Sequence, residues 1–120
     1  MVNPRILLVD DDIQFLEATE YMLKYENYEV VTAKNGEEAI KKYKESRPDI
    51  VLMDLKMPVM NGYDAFFKIK KDHPCAKIVF TSAYTINNEE FDKAKKSGLH
   101  GLLTKPFDLN ELNKIIQSKK

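Results

Sequence analysis

Five residues whose side chains can do chemistry follow apolar runs in this sequence, and together they predict one polar site. Asp10 and Asp11 follow the first run, Asp54 follows a second, and Ser82 and Lys105 follow two more. Two carboxylates about 4 Å apart repel by about 4 kcal/mol at an effective dielectric of 20, so a cluster of three requires a cation. Hard carboxylate oxygens with no histidine or cysteine clustered beside them favour Mg²⁺. These residue types therefore indicate a metal site beside a hydroxyl and an ammonium.

Asp54 is open to three interpretations: metal ligand, general base or nucleophile. A carboxylate that attacks a phosphoryl donor forms an acyl phosphate. This product carries nearly two extra negative charges, which a metal ion and an ammonium must balance. Lys105 can supply the ammonium, and Ser82 can donate a hydrogen bond to a phosphoryl oxygen. Asp12, by contrast, is expected to cap the helix that follows it.

The apolar runs are short and bounded by polar or turn residues, which is typical of buried parallel strands. Ligands of an open α/β sheet bind beyond the carboxyl ends of its strands, so the polar side chains are expected to gather at one edge. The predicted strands are Ile6–Val9, Tyr28–Ala33, Asp49–Asp54, Ala76–Ser82 and Leu99–Thr104.

Amphipathic segments alternate with these strands, as in βα units. The fourth segment has only Phe91 and Ala94 as apolar positions, so we expect it to be a loosely held helix. Five strands and five helices predict a doubly wound α/β fold with a parallel sheet. The predicted helices are about Ile13–Glu26, a segment capped by Asn35 that ends at Ser46, Tyr63–Asp72, Asn88–Ser97, and a last one with Leu109, Leu112, Ile115 and Ile116 as its buried stripe.

Length and composition favour a single cytoplasmic domain over residues 1–120. Basic and acidic residues both number 19, so the net charge is zero and no basic excess indicates nucleic-acid binding. No apolar run approaches the roughly 20 residues of a membrane span. The single cysteine, Cys75, excludes an internal disulfide and is typical of a reducing compartment. Its place beside Pro74 predicts a structural role.

Other chemistries have less support. Neither the G-x-x-x-x-G-K-[ST] nor the G-x-G-x-x-G nucleotide motif is present. Ser82 lacks the G-x-S-x-G surroundings of a hydrolase nucleophile. His73 and His100 stand apart from any cysteine or histidine cluster and are expected at the surface.

Several motifs of the sequence resemble the receiver domain of two-component response regulators, the CheY-like family. The resemblance covers nearly the whole chain and implies a flavodoxin-like sheet of strand order 2-1-3-4-5. The motifs are Leu8-Val9-Asp10-Asp11, Leu52-Met53-Asp54-Leu55-Lys56-Met57-Pro58, Asn61-Gly62, Ser82-Ala83 and Lys105-Pro106-Phe107.

The resemblance also implies a role for each site residue. Asp54 would be the phosphoacceptor, and Asp11 and Asp54 would bind Mg²⁺ through their side chains. The backbone carbonyl of Lys56 would add a ligand, and Asp10 would act through water. Ser82 would correspond to the family's Ser/Thr, and Lys105 would pair with the phosphoryl group.

The same resemblance makes Lys105-Pro106 an expected cis peptide, a conformation essentially confined to proline. One departure is Leu102, which stands where the family often has Tyr or Phe, so the family's aromatic switch is not expected in its usual form. Lys56 and Tyr84 flank the expected phosphoryl position. We predict that they shield it from water and lengthen the phosphorylated lifetime.

The function implied is that of a signalling receiver rather than an enzyme, although it would assist its own phosphorylation and dephosphorylation. The donor would be a histidine kinase or a histidine phosphotransfer protein, docking on Phe15, Ala18, Pro106 and Phe107. Because the chain ends after the fifth predicted helix, output is expected through a downstream protein or onward phosphotransfer, without direct binding to nucleic acid or membrane. The alternatives are a pseudo-receiver that binds partners without phosphorylation, and a small Mg²⁺-dependent phosphohydrolase. The phosphohydrolase would require another acid/base carboxylate near Asp54.

Overall fold

The computed structural model describes residues 3–57, 59–84, 86 and 88–118. Pro58 of the predicted motif and both ends of the predicted domain 1–120 lie outside these residues. Strands and helices alternate along the chain. The strands are β1 (Arg5–Val9), β2 (Glu29–Ala33), β3 (Ile50–Asp54), β4 (Ile78–Ser82) and β5 (Gly101–Thr104). The helices are α1 (Ile13–Tyr25), α2 (Gly36–Ser46), α3 (Gly62–Asp72), α4 (Glu89–Lys96) and α5 (Leu109–Gln117).

The five strands form one parallel sheet in the order β2-β1-β3-β4-β5, which confirms the predicted fold. Both faces are covered, because one core packs α2, α3 and α4 on the sheet and a second packs α1 and α5 on the other face. Every residue of β3 and β4 is buried, as continuous apolar runs require in a parallel sheet.

Two strands begin two residues later than the sequence indicates, whereas β2 and β3 begin one residue later and β1 one residue earlier. β4 begins at Ile78 rather than Ala76, because the Ala76 N–H bonds the His73 carbonyl in a turn. β5 begins at Gly101 rather than Leu99, because the Leu99 N–H bonds the Ala94 carbonyl and closes α4. In both cases a turn at the end of the preceding helix uses the backbone donor that a strand would need.

The register of the sheet places the strand ends level with one another. Asp54 pairs with Thr81, and Ser82 pairs with Thr104, so the residues that follow β3, β4 and β5 emerge at one edge. Each helix then begins with a capping side chain that accepts a backbone N–H, as N-cap residues do. The predicted cap Asp12 accepts from the Phe15 N–H at 3.2 Å. The other caps are Asn35, Asn61, Asn88 and Asp108.

The loop between β3 and α3 is held close to the strand by a glycine. The Gly62 N–H donates to the Leu55 carbonyl at 3.0 Å. A Cβ at Gly62 would lie 2.5 Å from the Asp54 carbonyl oxygen, which no side chain tolerates. The loop therefore turns back immediately beyond Asp54 and forms one wall of the space above it.

Helix α4 buries little apolar surface, as its sequence predicts. Ala94 is its one fully buried residue, and Phe91 is half-buried. The loose attachment of α4 stays a prediction. Among the residues that the structure describes, no helix is long and apolar enough to cross a membrane.

Candidate functional site

The structure brings the five predicted side chains together at the carboxyl edge of the sheet. Asp10, Asp11, Asp54, Ser82 and Lys105 line one cavity of about 210 Å³. They come from the ends of four strands, so the parallel register, rather than sequence proximity, assembles the site. Asp12, Lys56, Ala83 and Tyr84 complete its lining.

The three carboxylates form a compact acidic cluster. One oxygen each of Asp10, Asp11 and Asp54 lies within 4.8 Å of the others. Asp10 and Asp54 are buried, with 1% and 8% of their surface exposed, whereas Asp11 is open to solvent. An all-oxygen donor set with one solvent-facing side fits Mg²⁺, which keeps part of its water shell.

Lys105 is the cation that the described residues place inside the cluster. Its Nζ lies 2.6 Å from Asp10 Oδ2 and 3.4 Å from Asp54 Oδ1. The Lys105 N–H donates to the Ser82 carbonyl at 2.7 Å, which fixes the end of β5 against the end of β4. The Lys105–Pro106 peptide is cis, as predicted. The ammonium is thus aimed between two carboxylates.

The charges of the cluster shift two pKa values. Burial, followed by the negative charge of Asp10, raises the pKa of Asp54 to about 6, and Lys105 opposes this shift only in part. Burial alone would lower the pKa of Lys105, but its hydrogen bond to Asp10 and the charge of Asp54 outweigh that effect and raise it. At neutral pH the ammonium is charged and Asp54 is mostly ionised. The folded protein nevertheless disfavours the ionised form of Asp54, and a further cation would stabilise that form.

Ser82 lines the cavity, but its hydroxyl is engaged elsewhere. Its Oγ donates to the Tyr84 carbonyl at 2.9 Å and accepts the Tyr84 N–H at 3.1 Å. This is a local side-chain-to-backbone turn of the kind that serine favours. A hydrogen bond from Ser82 to a group on Asp54 would therefore require the hydroxyl to leave Tyr84.

Lys56 and Tyr84 meet across the mouth of the cavity. The Lys56 ammonium lies 4.5 Å from the centre of the Tyr84 ring, a cation–π distance. Both side chains are exposed, and they join the loop after β3 to the loop after β4. The sequence predicts their shielding role but not this contact.

Two further contacts escape sequence reasoning. The Phe15 ring lies 4.3 Å from the Lys105 Nζ and packs edge-on against Phe107 at 5.9 Å. The Tyr63 hydroxyl approaches the Asn88 side chain at 3.4 Å, in a larger cleft of about 720 Å³ that adjoins the site. The position of Phe15 in the first turn after the acidic run is the sequence signal that places its ring near the site.

Leu102 is half-buried and packs against the core beneath α3 and α4. This position of β5 therefore carries a leucine side chain in the core instead of the aromatic ring that the resemblance implies.

Fold and site together define a flavodoxin-like α/β protein with an acidic, lysine-containing pocket at the carboxyl edge of its sheet. The chain belongs to the response regulator receiver domain family, whose model matches residues 6–117. It is a receiver of phosphorelay signalling, related to CheY and PhoP.

Individual relatives agree with this assignment. The chain is 40% identical to the chemotaxis protein CheY of Thermotoga maritima, over 95% of this chain and 98% of the relative. It is 31% identical to the alkaline phosphatase synthesis transcriptional regulatory protein PhoP of Bacillus subtilis, over 98% of this chain. The chain spans only 48% of PhoP.

Solved structures resemble this chain over nearly its whole length. Vibrio cholerae CheY4 superposes with a TM-score of 0.88 and 30% identity, over 97% of this chain and 98% of that one. The response regulator TrrA of Thermotoga maritima, in complex with Mg²⁺-BeF, superposes with a TM-score of 0.84 and 33% identity, over 95% and 96%.

Proposed function

We propose that Asp54 accepts a phosphoryl group from a phosphohistidine on a histidine kinase or a histidine phosphotransfer protein. One observation carries this proposal: a buried carboxylate lies 3.4 Å from a lysine ammonium and within the same acidic cluster as two further aspartates. The family to which the chain belongs supports it, because such receivers act as phosphoacceptors.

In the proposed reaction an oxygen of Asp54 attacks the phosphorus of the donor. The phosphorus–oxygen bond forms as the phosphorus–nitrogen bond breaks, and the donor imidazole takes the bonding electron pair. The ionised form of Asp54 is required, since the protonated carboxyl has no comparable nucleophilicity. Lys105 remains close enough to pair with an oxygen of the transferred group.

The residues of the cluster fit Mg²⁺ in chemical type. Asp11 and Asp54 would hold it through their side chains, the Lys56 backbone carbonyl would add a ligand, and Asp10 would act through a water molecule. When bound, the ion supplies positive charge that balances the phosphoryl oxygens.

Ser82 would report the phosphorylated state. Its hydroxyl bonds the backbone of Tyr84 at 2.9 and 3.1 Å, and a phosphoryl oxygen would compete for that hydroxyl. Release of Tyr84 would loosen the start of the segment that leads into α4. Output would pass through that segment to a downstream protein or to a further phosphotransfer step.

The proposed setting is a cytoplasmic one, and the proposed protein is a phosphoacceptor rather than an enzyme with an external substrate. It would nonetheless assist its own phosphorylation and dephosphorylation through Lys105 and the acidic cluster. No observation favours the pseudo-receiver alternative, since the five site residues are all present and converge.

The test is the intact mass of the protein after incubation with acetyl phosphate and Mg²⁺. We expect the gain of one phosphoryl group in the native protein, and none in Asp54→Asn or in a metal-free sample. Rapid quenching guards against loss of a short-lived adduct. No adduct under these conditions, or an adduct that persists in Asp54→Asn, would contradict the proposal.

A further inference from the structure

A separate cavity of about 400 Å³ lies at the opposite, amino edge of the sheet. Its walls come from the ends of α3 and α4 and from the residues that lead into β4 and β5. Three lysines and a histidine line it, and its lining contains no acidic side chain. The lining residues are Lys70, Cys75, Ala76, Lys77, Lys95, Gly98, Leu99 and His100.

Lys70 is fixed in the wall of this cavity rather than free in solvent. Its Nζ donates to the Pro74 carbonyl at 2.8 Å and to the Ala76 carbonyl at 2.9 Å. A Cβ at Gly98 would lie 3.1 Å from this Nζ, and Gly98 has a φ of +98°. Glycine at position 98 thus leaves room for the half-buried Lys70 ammonium.

The lysines of the helices have an ordinary explanation, because cations in the last turn offset the helix dipole. Lys70 lies in the last turn of α3 and Lys95 in that of α4, so part of the charge is accounted for. Lys77 lies outside any helix and has no such explanation. Lys95 also pairs with Asp92 at 3.6 Å, but both side chains are more than half exposed and the pair is weak.

We propose that this cavity binds a small phosphate-bearing anion, such as an oligophosphate or the phosphate chain of a nucleotide. Its volume falls in the range of small-molecule sites. Lysine ammonium groups bind phosphate as point charges. The chain has no net charge, so the attraction is local to this cavity rather than a property of the whole surface. A bound anion would lie beside the carboxyl ends of α3 and α4, so the lysines must offset the partial negative charge of these helix ends as well as pair with the anion.

Cys75 provides a direct probe, because it lines the cavity and is the one cysteine of the sequence. The experiment measures the rate at which a neutral reagent, 4,4′-dithiodipyridine, modifies the native protein in metal-depleted buffer. Pyrophosphate is titrated against sodium chloride of equal ionic strength. We expect pyrophosphate to slow the reaction saturably, with half of the effect below about 10 mM, and sodium chloride to leave it unchanged.

Matched variants locate the effect. Lys77→Gln/Lys95→Gln is expected to weaken protection about tenfold, because it removes two of the three ammonium groups that line the cavity. Lys41→Gln/Lys44→Gln removes the same charge from exposed positions of α2 and should protect like the native protein. Asp54→Asn should also keep protection, which separates this site from the phosphoacceptor.

Backbone amide shifts give a second readout that does not depend on Cys75. Pyrophosphate should move the resonances of residues 75–77 and 98–100 with the same affinity. Protection that sodium chloride reproduces, or that both double variants lose equally, would overturn the proposal. So would shifts confined to the carboxyl edge.

Discussion

At the scale of single residues, the site is a balance between repulsion and pairing. Asp54 is buried beside Asp10, and Lys105, whose ammonium contacts both carboxylates, lies closer to Asp10 than to Asp54. The pKa of Asp54 is consequently raised to about 6. The negative charge of the carboxylate that we propose as the nucleophile is therefore only partly compensated. A metal ion, or a phosphoryl group together with its counter-charges, would compensate the negative charge of Asp54 when it binds there.

This balance predicts that Asp54→Asn stabilises the metal-free protein at pH 7. A carboxyl whose folded pKa is raised from 3.8 to about 6 costs stability when ionised. By the linkage relation the cost is on the order of 1–3 kcal/mol above pH 6. It shrinks as the pH falls from 6 towards 4, because the folded protein then takes up a proton on Asp54.

Urea unfolding of both proteins at pH 7 and at pH 4.5 measures this difference. The variant should be the more stable at pH 7 and lose most of its advantage at pH 4.5. A variant equal to or less stable than the native protein at pH 7 would show that Lys105 compensates Asp54 fully.

A second prediction at the scale of residues concerns Lys56 and Tyr84 and the lifetime of the phosphorylated state. Their cation–π contact lies across the mouth of the cavity. Such contacts contribute about 0.5–1 kcal/mol at exposed sites, so losing one should speed dephosphorylation about two- to fivefold. Lys56→Asn and Tyr84→Ala should both show this increase, followed as loss of the phosphoryl mass. Tyr84→Phe keeps the ring and is the control, and unchanged rates in the first two variants would refute the shielding role.

At the scale of elements, the described part of the loop between β3 and α3 has a constrained backbone near the site. Gly62 permits the close approach to the Asp54 carbonyl. Val59, in the same loop, has a φ of +71° and a side chain that is 75% exposed. A β-branched residue in the left-handed region is strained, and its exposed side chain gains little from packing.

We expect Val59→Asn to stabilise the protein by about 1 kcal/mol, because asparagine tolerates this conformation far better than valine. For a domain of this size the melting temperature should rise by about 3–5 °C. Val59→Thr is the matched control, since it removes apolar surface but keeps the β-branch. A gain in Val59→Thr as large as that in Val59→Asn would assign the effect to the loss of exposed apolar surface instead of to relief of backbone strain.

At the scale of the whole molecule, the fold separates two chemical environments. The carboxyl edge of the sheet collects aspartates around Lys105, whereas the amino edge collects lysines around a second cavity. The net charge of zero conceals this separation. The face beside the carboxyl edge carries Phe15 packed on Phe107, with Ala18 exposed on the next turn of α1.

If the phosphohistidine donor docks on this face, Ala18→Glu should slow transfer from that donor about tenfold or more, as an unpaired charge at the centre of an interface does. Phosphorylation by acetyl phosphate should be unchanged, because the site itself is intact. Lys41→Glu, on the exposed surface of α2, is the control. Equal transfer to all three proteins would move the docking surface elsewhere.

The sequence by itself predicted the five strands and their order along the chain, the caps Asp12 and Asn35, and the five polar side chains that the fold brings together. Short apolar runs bounded by polar residues indicated the strands, and Asp12 and Asn35 cap helices through bonds only three residues long. The motif around Asp54 and the residues Ser82 and Lys105 resemble those of the family to which the chain belongs. Cys75 differs from its prediction, as do the starts of β4 and β5: a structural role was predicted, but Cys75 is exposed, and Ala76 takes the buried position of that turn.

Only the tertiary structure decided how those residues face one another. Lys105 lies nearer to Asp10, 95 positions away, than to Asp54, and the Ser82 hydroxyl turns to Tyr84 instead of the cavity. The lysine-lined cavity likewise joins segments whose charges are unremarkable in the sequence. Periodicity and capping act between neighbours in the chain, whereas these contacts depend on strand register and on the packing of distant segments. That is why the residues of the site could be predicted, and its geometry could not.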